Sequence, residues 1–189
     1  MTAIVVALTP EFADWECALL MAVARSYLGV IVKTATGDGS PVTSMGGLNV
    51  TPDLSFAQVR PEDFDALVVP GGLAWENKRV PADLHDLVRS FRDKNKMAAG
   101  ICAAASMLAG AGVLNDVKHT GNRVASHQEY PGYSGEKLYV DGPKAVSADG
   151  VVTAAGTAPF TFTVEILKGL GLWDATAQEE LLPFSAEHR

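Results

Sequence analysis

The sequence predicts an α/β domain built on a parallel sheet with crossover helices. Short apolar runs alternate with amphipathic segments along the chain, and this alternation is typical of βαβ units. A length of 189 residues suits one ordinary domain, and a hydrophobic content of 48% suffices for a sizeable core. The sequence has no internal repeat, no low-complexity segment and no break in composition. Residues 1–189 are therefore expected to form a single domain.

The chain begins with a predicted strand, helix and second strand. Residues 4–8 are a continuous apolar run, as expected for a strand that is buried on both faces. Asp14 can cap the helix that follows, and Gly29 stands where a helix C-cap belongs. Residues 30–36 are the second predicted strand. The apolar face of the helix consists of Trp15, Leu19, Leu20 and Val23.

A polar excursion separates the second strand from the third. Residues 37–51 are rich in Gly, Ser and Thr with short β-prone pieces, so we expect a hairpin-like excursion there rather than a linker. Residues 66–69 form a third buried strand, which ends at Pro70-Gly71-Gly72. A helix is predicted over residues 81–94. Its apolar face consists of Leu84, Leu87, Val88 and Phe91.

Cys102 stands between a fourth predicted strand, residues 97–101, and an alanine-rich helix over residues 103–111. A strand that passes directly into a helix at a nucleophilic residue is typical of a nucleophile elbow, a tight turn above the carboxyl ends of the strands. The small residues that allow this approach are Gly100, Ala103, Ala104 and Ala105. At a helix N-terminus the pKa of the thiol should fall, which favours the reactive thiolate. The alternative is a buried structural cysteine.

The pattern is looser after this helix. Residues 118–120 are expected to form a short strand, and residues 122–142 a long polar loop that contains Tyr and Gly. Residues 151–155 are the last predicted strand and lead into a helix. The apolar face of that helix consists of Phe160, Val164 and Leu167.

Charge and cysteine content exclude several classes of function. A net charge of −7 and a pI near 5.0 argue against binding to nucleic acid or to a membrane, because both need a basic patch. The apolar start of the chain is too short for a signal peptide, and two cysteines do not make a disulfide framework. A cytoplasmic location is expected. The sequence has neither a metal-ligand pair nor a nucleotide motif, so no metal and no cofactor is expected.

Five short segments follow one another in a characteristic order. They are Asp14-Trp15-Glu16, residues 67–72 (LVVPGG), residues 99–104 (AGICAA), Lys118-His119-Thr120 and residues 155–158 (AGTA). In order and spacing they resemble the ThiJ/PfpI superfamily, which includes the parkinsonism-associated protein deglycase, over residues 2–172. The resemblance implies a class I glutamine-amidotransferase-like fold. That fold is a flavodoxin-like three-layer sandwich, with helices on both faces of a mostly parallel sheet.

The resemblance also implies that Glu16 meets Cys102. The carboxyl would be protonated, would donate a hydrogen bond to the thiolate and would lower the pKa of the thiol; desolvation beside an anion favours this neutral form. Alternatively, Glu16 is only a first-turn acid that suits the helix dipole. The backbone N–H groups of Gly72 and Ala103 would form an oxyanion pocket, unless Gly71 and Gly72 simply turn the chain.

The sequence departs from the superfamily where a general base is expected. PfpI-type peptidases follow the cysteine with histidine, whereas Ala103 stands here. His119 and His127 are the other candidate bases. The alternative for His119 is a partly buried histidine that is hydrogen-bonded to the backbone. We expect His127 and Glu129 to lie away from Cys102 and to be largely exposed.

Two functions remain open from the sequence. The first is a cofactor-independent cysteine hydrolase, lyase or deglycase that acts on a small carbonyl, amide or nitrile-like substrate. The second is a non-catalytic protein of oxidative stress, in which Cys102 is oxidised to sulfenate or sulfinate. The missing base favours the second, and the frequent enzymatic use of the fold favours the first. The expected partner is a small-molecule substrate or an oxidant, and a homodimer is an assembly that the sequence allows.

Overall fold

The computed structural model describes residues 1–76 and 80–188. In chain order the strands are β1 (Ala3–Ala7), β2 (Ile31–Thr36), β3 (Val42–Thr43), β4 (Asn49–Val50), β5 (Leu54–Ser55), β6 (Ala66–Val69), β7 (Met97–Ile101), β8 (Val146–Ala148) and β9 (Val151–Ala154). The central strands β1, β2, β6, β7 and β9 lie where strands are predicted, whereas β5 and β8 are not predicted. The main sheet has the order β5-β2-β1-β6-β7-β9-β8, and its neighbouring strands are parallel except for β8 and β9. The predicted mostly parallel sheet is confirmed.

Helices pack on both faces of this sheet. They are α1 (Trp15–Ser26), α2 (Leu73–Glu76), α3 (Leu84–Asp93), α4 (Ala103–Gly110), α5 (Val124–Gln128), α6 (Pro159–Gly169) and α7 (Ala175–Leu181). The helices α1, α6 and α7 cover one face, and α3 and α4 cover the other. The molecule therefore has the three layers of a flavodoxin-like α/β fold.

The central strands supply both hydrophobic cores, because successive side chains of a strand point to opposite faces of the sheet. In β1, Ile4 and Val6 join the core under α1 and α6, whereas Val5 joins the core under α3 and α4. All three side chains are fully buried. This burial on both faces explains why β1 is continuously apolar rather than alternating.

The excursion after β2 is the hairpin that the sequence predicts. Strands β3 and β4 pair antiparallel, with Val42 opposite Val50. Asp14, the N-cap of α1, accepts hydrogen bonds from Trp15 N, Ser44 Oγ and Gly46 N. One carboxylate therefore caps α1 and also anchors the hairpin against its N-terminus.

Two predictions for the segment after α4 are wrong. Residues 118–120 do not form a strand, because only an isolated bridge joins His119 to Tyr139. Residues 122–142 are not a plain loop either, since they contain α5 and a 3₁₀ turn over Glu136–Leu138. Buried rings, rather than a pairing partner in the sheet, hold this part of the chain.

The order of the strands decides where a site can form. From β1 the sheet continues to β2 in one direction and to β6 in the other, so the chain leaves a crevice at the carboxyl ends of β1 and β6. Ligand sites of open α/β sheets lie at such switch points. The turns after β6, β7 and β9 all open at this edge.

Among the described residues, no helix combines the length and the apolar character needed to span a lipid bilayer.

Candidate functional site

Cys102 occupies the turn between β7 and α4 in a backbone conformation that is rare for residues other than glycine. Its φ is +61° and its ψ is −128°, which places the residue in strained geometry. The turn is tight because α4 lies directly on β7. A Cβ on Gly100 would lie 2.8 Å from Leu108 Cδ1 and 2.9 Å from Ala104 O. The sharp turn predicted at Cys102 is present, and the side chain is half-buried.

Glu16 lies in the first turn of α1 and points into the protein. Its side chain is 1% exposed, and its Oε2 accepts a hydrogen bond of 2.7 Å from Gly71 N. Its Oε1 is buried without a partner of ordinary hydrogen-bond geometry, and Cys102 is the polar side chain that faces it. A carboxyl group in this position is not explained by the helix dipole alone.

Two glycines close around the pair formed by Glu16 and Cys102. A Cβ on Gly71 would lie 2.8 Å from Cys102 Cβ and 3.1 Å from Glu16 Oε2. A Cβ on Gly156 would lie 2.9 Å from both Cys102 Sγ and Glu16 Oε1. Real Cβ atoms do not approach so closely, so the site needs glycine at both positions.

Asn122 contacts the sulfur directly. Its Nδ2 donates a hydrogen bond of 3.3 Å to Cys102 Sγ, and its Oδ1 accepts one of 3.0 Å from Gly156 N. Trp15 Nε1 lies 3.4 Å from Gly156 O and donates to it. Gly156 is thus held through its N–H by Asn122 and through its carbonyl by Trp15, directly over the sulfur.

The pKa values of the pair are set by burial. Desolvation raises the pKa of the Glu16 carboxyl to about 7, although the Gly71 N–H and the Cys102 thiol act to lower it. Burial, followed by the charge of an ionised Glu16, raises the pKa of the Cys102 thiol, and hydrogen bonds from Asn122 and Ala103 oppose the rise. Desolvation thus shifts the pKa of the thiol in the direction opposite to the low value that the sequence predicts, and that low value stays a prediction.

Both candidate histidine bases are occupied elsewhere. His119 is fully buried; its Nδ1 donates to Val117 O at 2.8 Å, and its Nε2 accepts from the Tyr133 hydroxyl at 2.7 Å. His127 Nδ1 lies 3.1 Å from Ser106 Oγ, and its Nε2 lies 3.3 Å from a backbone carbonyl. Neither ring bonds to the sulfur in the described part of the chain.

The expectation that His127 is exposed is wrong. Its ring is fully buried, stacked on His119 with the two centroids 5.5 Å apart, whereas Glu129 is exposed as expected. Desolvation, then the neighbouring His119, lower the pKa of His127 to about 4, so the imidazole is neutral at neutral pH. The rings that pack around His127 come from different parts of the chain, so the local sequence does not indicate that His127 is buried.

The two predicted oxyanion donors, the backbone N–H groups of Ala103 and Gly72, differ in their relation to the sulfur. The Ala103 N–H faces the Cys102 sulfur and lowers the pKa of the thiol. Gly72, with a φ of +144°, lies opposite Phe12 in an isolated antiparallel bridge whose hydrogen bonds run from Ala13 N to Gly71 O and from Leu73 N to Glu11 O, so the bridge does not use the Gly72 N–H. The N–H of Gly71 donates to Glu16 Oε2, and the role of the Gly72 N–H as an oxyanion donor stays a prediction.

A cleft of about 450 Å³ lies next to the turn that carries Cys102; Ala103 and Asn122, which both donate towards the sulfur, line it, but Cys102 itself does not. The cleft is lined by Trp75, Ala103, Ser106, Asn122, Arg123, Ser126, Glu129 and Tyr130. Within the described ranges, no group of three His, Cys, Asp or Glu side chains is placed to hold a metal ion. Cys17, the second cysteine, is 2% exposed in the core, and burial raises its pKa to about 12.

Sequence reasoning missed the roles of Asn122 and Gly156. Residues 155–158 form a recognisable motif, but their sequence does not indicate a function for Gly156. Asn122 stands at the start of a stretch whose composition predicts a polar loop. The sequence feature that could have pointed to Asn122 is its position two residues after the Lys118-His119-Thr120 motif, directly after Gly121. Its contact with a sulfur 20 residues away depends on the tertiary fold.

Comparisons with known proteins show the family and the fold of this chain. A model described as the DJ-1/PfpI family matches residues 2–169. A solved DJ-1 superfamily protein from Agrobacterium tumefaciens is 63% identical, with a TM-score of 0.97 over 100% of both chains. YoaZ of Bacillus subtilis, named an uncharacterized protease, is 34% identical over 85% of this chain and 80% of its own length. A deglycase of Pyrococcus horikoshii is 35% identical over 64% of this chain and 68% of its own length.

Proposed function

We propose that this chain, which belongs to the DJ-1/PfpI family, is a cysteine-dependent enzyme that acts on small carbonyl compounds. Relatives named deglycases and proteases support a reaction at a carbonyl group. The observation that carries the proposal is the carboxyl of Glu16, which faces the half-buried Cys102 thiol and has a pKa raised to about 7. The cleft lined by Ala103 and Asn122, which both donate towards the sulfur, has room for a small substrate.

Glu16 supplies the general base that no histidine supplies at this site. A base works best when its pKa lies near the operating pH, and desolvation brings a carboxyl of ordinary pKa 4.5 to about 7. The thiol proton then has an acceptor at the site. This removes the main argument for a purely non-catalytic cysteine.

The reaction begins with addition of the sulfur to an aldehyde carbon. The Cys102 S–H proton first passes to the Glu16 carboxylate; the thiolate then forms the S–C bond, and the π electrons of the C=O bond move to oxygen. The Glu16 proton then passes to that oxygen, which completes a hemithioacetal. The N–H of Ala103 is placed beside the sulfur, where it can donate to charge on the reacting atoms.

Turnover of methylglyoxal by purified protein tests the proposal. Wild type should consume the aldehyde, and Cys102→Ser should abolish consumption. The control variant Cys17→Ala should retain it, because Cys17 is buried in the core away from the cleft. An inactive wild type whose Cys102 gains oxygen atoms in dilute peroxide, followed by intact mass, would contradict the proposal and favour the oxidation-sensitive protein instead.

A further inference from the structure

The hydrogen bonds of Asn122 fix which end of its amide faces the sulfur. A backbone N–H can only donate, so the contact of 3.0 Å with Gly156 N requires Oδ1 at that end. The amide nitrogen is then at the other end, 3.3 Å from Cys102 Sγ. The sulfur must accept, and a hydrogen bond to sulfur as acceptor favours the thiolate over the thiol.

The backbone that carries Asn122 is anchored from three directions. Thr120 N donates to Thr153 Oγ1 on β9 at 2.8 Å, and Thr120 O accepts from the His127 ring. The Tyr139 hydroxyl donates to Gly121 O at 3.0 Å. Because these partners come from separate parts of the fold, the amide is held in place before any substrate binds.

Asn122 also opposes the cost of ionising the thiol. Burial and an ionised Glu16 both raise the pKa of the Cys102 thiol, while Asn122 and Ala103 act in the lowering direction. Ala103 acts through its backbone, so Asn122 is the side chain that a substitution can remove. A carboxylate in place of the Asn122 amide could only accept hydrogen bonds and would add a further negative charge beside the sulfur.

We propose that Asn122 is the third catalytic residue of this site, whose amide, oriented by Gly156, donates to the Cys102 sulfur and stabilises it as the thiolate that attacks. The proposal rests on the proposed function in taking Cys102 as the nucleophile. The side chain that contacts the sulfur is therefore a neutral amide and not an imidazole. An amide carries no titrating proton, so proton transfer belongs to Glu16 and stabilisation of charge to Asn122.

Alkylation by iodoacetamide across a pH series, followed by intact mass, tests the role of Asn122 without requiring turnover. At pH 7, Asn122→Ala should alkylate at Cys102 about tenfold more slowly than wild type, as expected for a lost hydrogen bond to a charged group. Asn122→Asp should be slower still, because its carboxylate repels the thiolate. Both variants should shift the rise in rate towards higher pH.

Asn115 provides a matched control. Its side chain also bridges two backbone groups, Gly132 O and Ser134 N, but it does not contact the sulfur. Asn115→Ala should keep the wild-type profile. Labelling of Cys17, which is 2% exposed, reports unfolding in any variant.

An unchanged profile in folded Asn122→Ala would overturn the role of Asn122 even if the enzyme turns over aldehydes. Conversely, the predicted shift in a protein that has no turnover would support the role of Asn122 and reject the proposed function. In an active protein, Asn122→Ala should lower kcat while KM changes little, since the amide contacts the reacting sulfur.

Discussion

Cys102 and Glu16 compete for protons, and this competition controls the reactivity of the site. An ionised Glu16 carboxylate and an ionised Cys102 thiolate would be two negative charges next to each other in a buried environment, so each disfavours the ionisation of the other. The two groups therefore titrate as a pair. The first proton leaves the pair near pH 7, where the Glu16 carboxyl ionises. The second leaves only above the ordinary thiol value, because burial and the Glu16 charge raise the pKa of Cys102. Between these points the pair holds one proton.

Glu16→Gln should change the shape of the alkylation profile of Cys102. In wild type the rate should rise up to about pH 7, level off while the pair holds one proton, and rise again as the second proton leaves. Glutamine has no proton to lose, so the variant should lack the break near pH 7 and show one continuous rise. The measurement is iodoacetamide labelling from pH 5 to pH 10, resolved by intact mass, with Cys17→Ala as the control. A break near pH 7 in the profile of Glu16→Gln as well as in that of wild type would show that Glu16 does not share a proton with the thiol.

At the scale of elements, the segment over residues 118–122 is held by a cluster of aromatic rings and by one hydrogen bond to a side chain of β9, and not by strand pairing in the main sheet. His119 and His127 stack, and Tyr133 and Tyr139 pack edge-on against both rings at centroid distances of 5.5 to 5.8 Å. Both imidazoles are neutral, because burial lowers the pKa of each. This neutral state is what allows two histidines to stack inside the protein.

His127→Gln should weaken the dependence of stability on acid pH. The pKa of His127 falls from 6.5 when unfolded to about 4 when folded, so the unfolded chain binds the extra proton between these values. The free energy of unfolding should therefore decrease as pH falls from about 6.5 to 4, by up to about 3 kcal/mol from this residue. Urea unfolding at pH 7.5 and pH 4.5 measures the difference for both proteins.

The control for this experiment is His85→Gln. His85 lies on α3, away from the stacked rings of His119 and His127, and it is only half-buried. Its replacement should therefore leave most of the pH dependence of the free energy of unfolding in place. If His127→Gln and wild type lose the same stability on acidification, His127 is not the group that resists protonation.

The whole molecule is organised by one sheet that is shared by two hydrophobic cores. Phe91 on α3 fills the core on one face, and Phe162 on α6 fills the core on the other; both are fully buried. Every central strand contributes to both cores because its side chains alternate. Loss of packing on one face should therefore weaken the other face as well.

Phe91→Ala and Phe162→Ala should each lower the stability of the whole domain. Truncation of a buried phenylalanine costs about 3–5 kcal/mol, through lost burial and the cavity left behind. Each variant should still unfold in one transition, with the near-UV and far-UV circular dichroism signals changing together. Separate transitions for the two signals, or a variant that loses only part of its helix content, would show that the two faces unfold independently and would contradict the single domain predicted over residues 1–189.

The elements that carry a continuous apolar run or a clear turn signal could be predicted from the sequence, and those without such a local signal could not. Strand β6 is predicted with its observed bounds, Ala66–Val69, because a strand buried on both faces is apolar throughout. Helix α4 is predicted to within one residue at its end, because small residues and Cys102 mark the turn before it. Elements such as β5 and α5, two and five residues long, are too short to develop a periodicity of their own.

The fold class and the position of Cys102 follow from contiguous residues whose pattern is local, so both are predictable from the sequence. The surroundings of the sulfur, in contrast, come from the packing of segments that are far apart in the chain. Glu16 meets the amide of Gly71 across 55 residues, and Trp15 meets Gly156 across 141. The pKa of the thiol also belongs to the folded state, since desolvation arises only when these distant segments close over it. Local sequence records which groups are available, whereas their distances and their solvation are properties of the packed molecule.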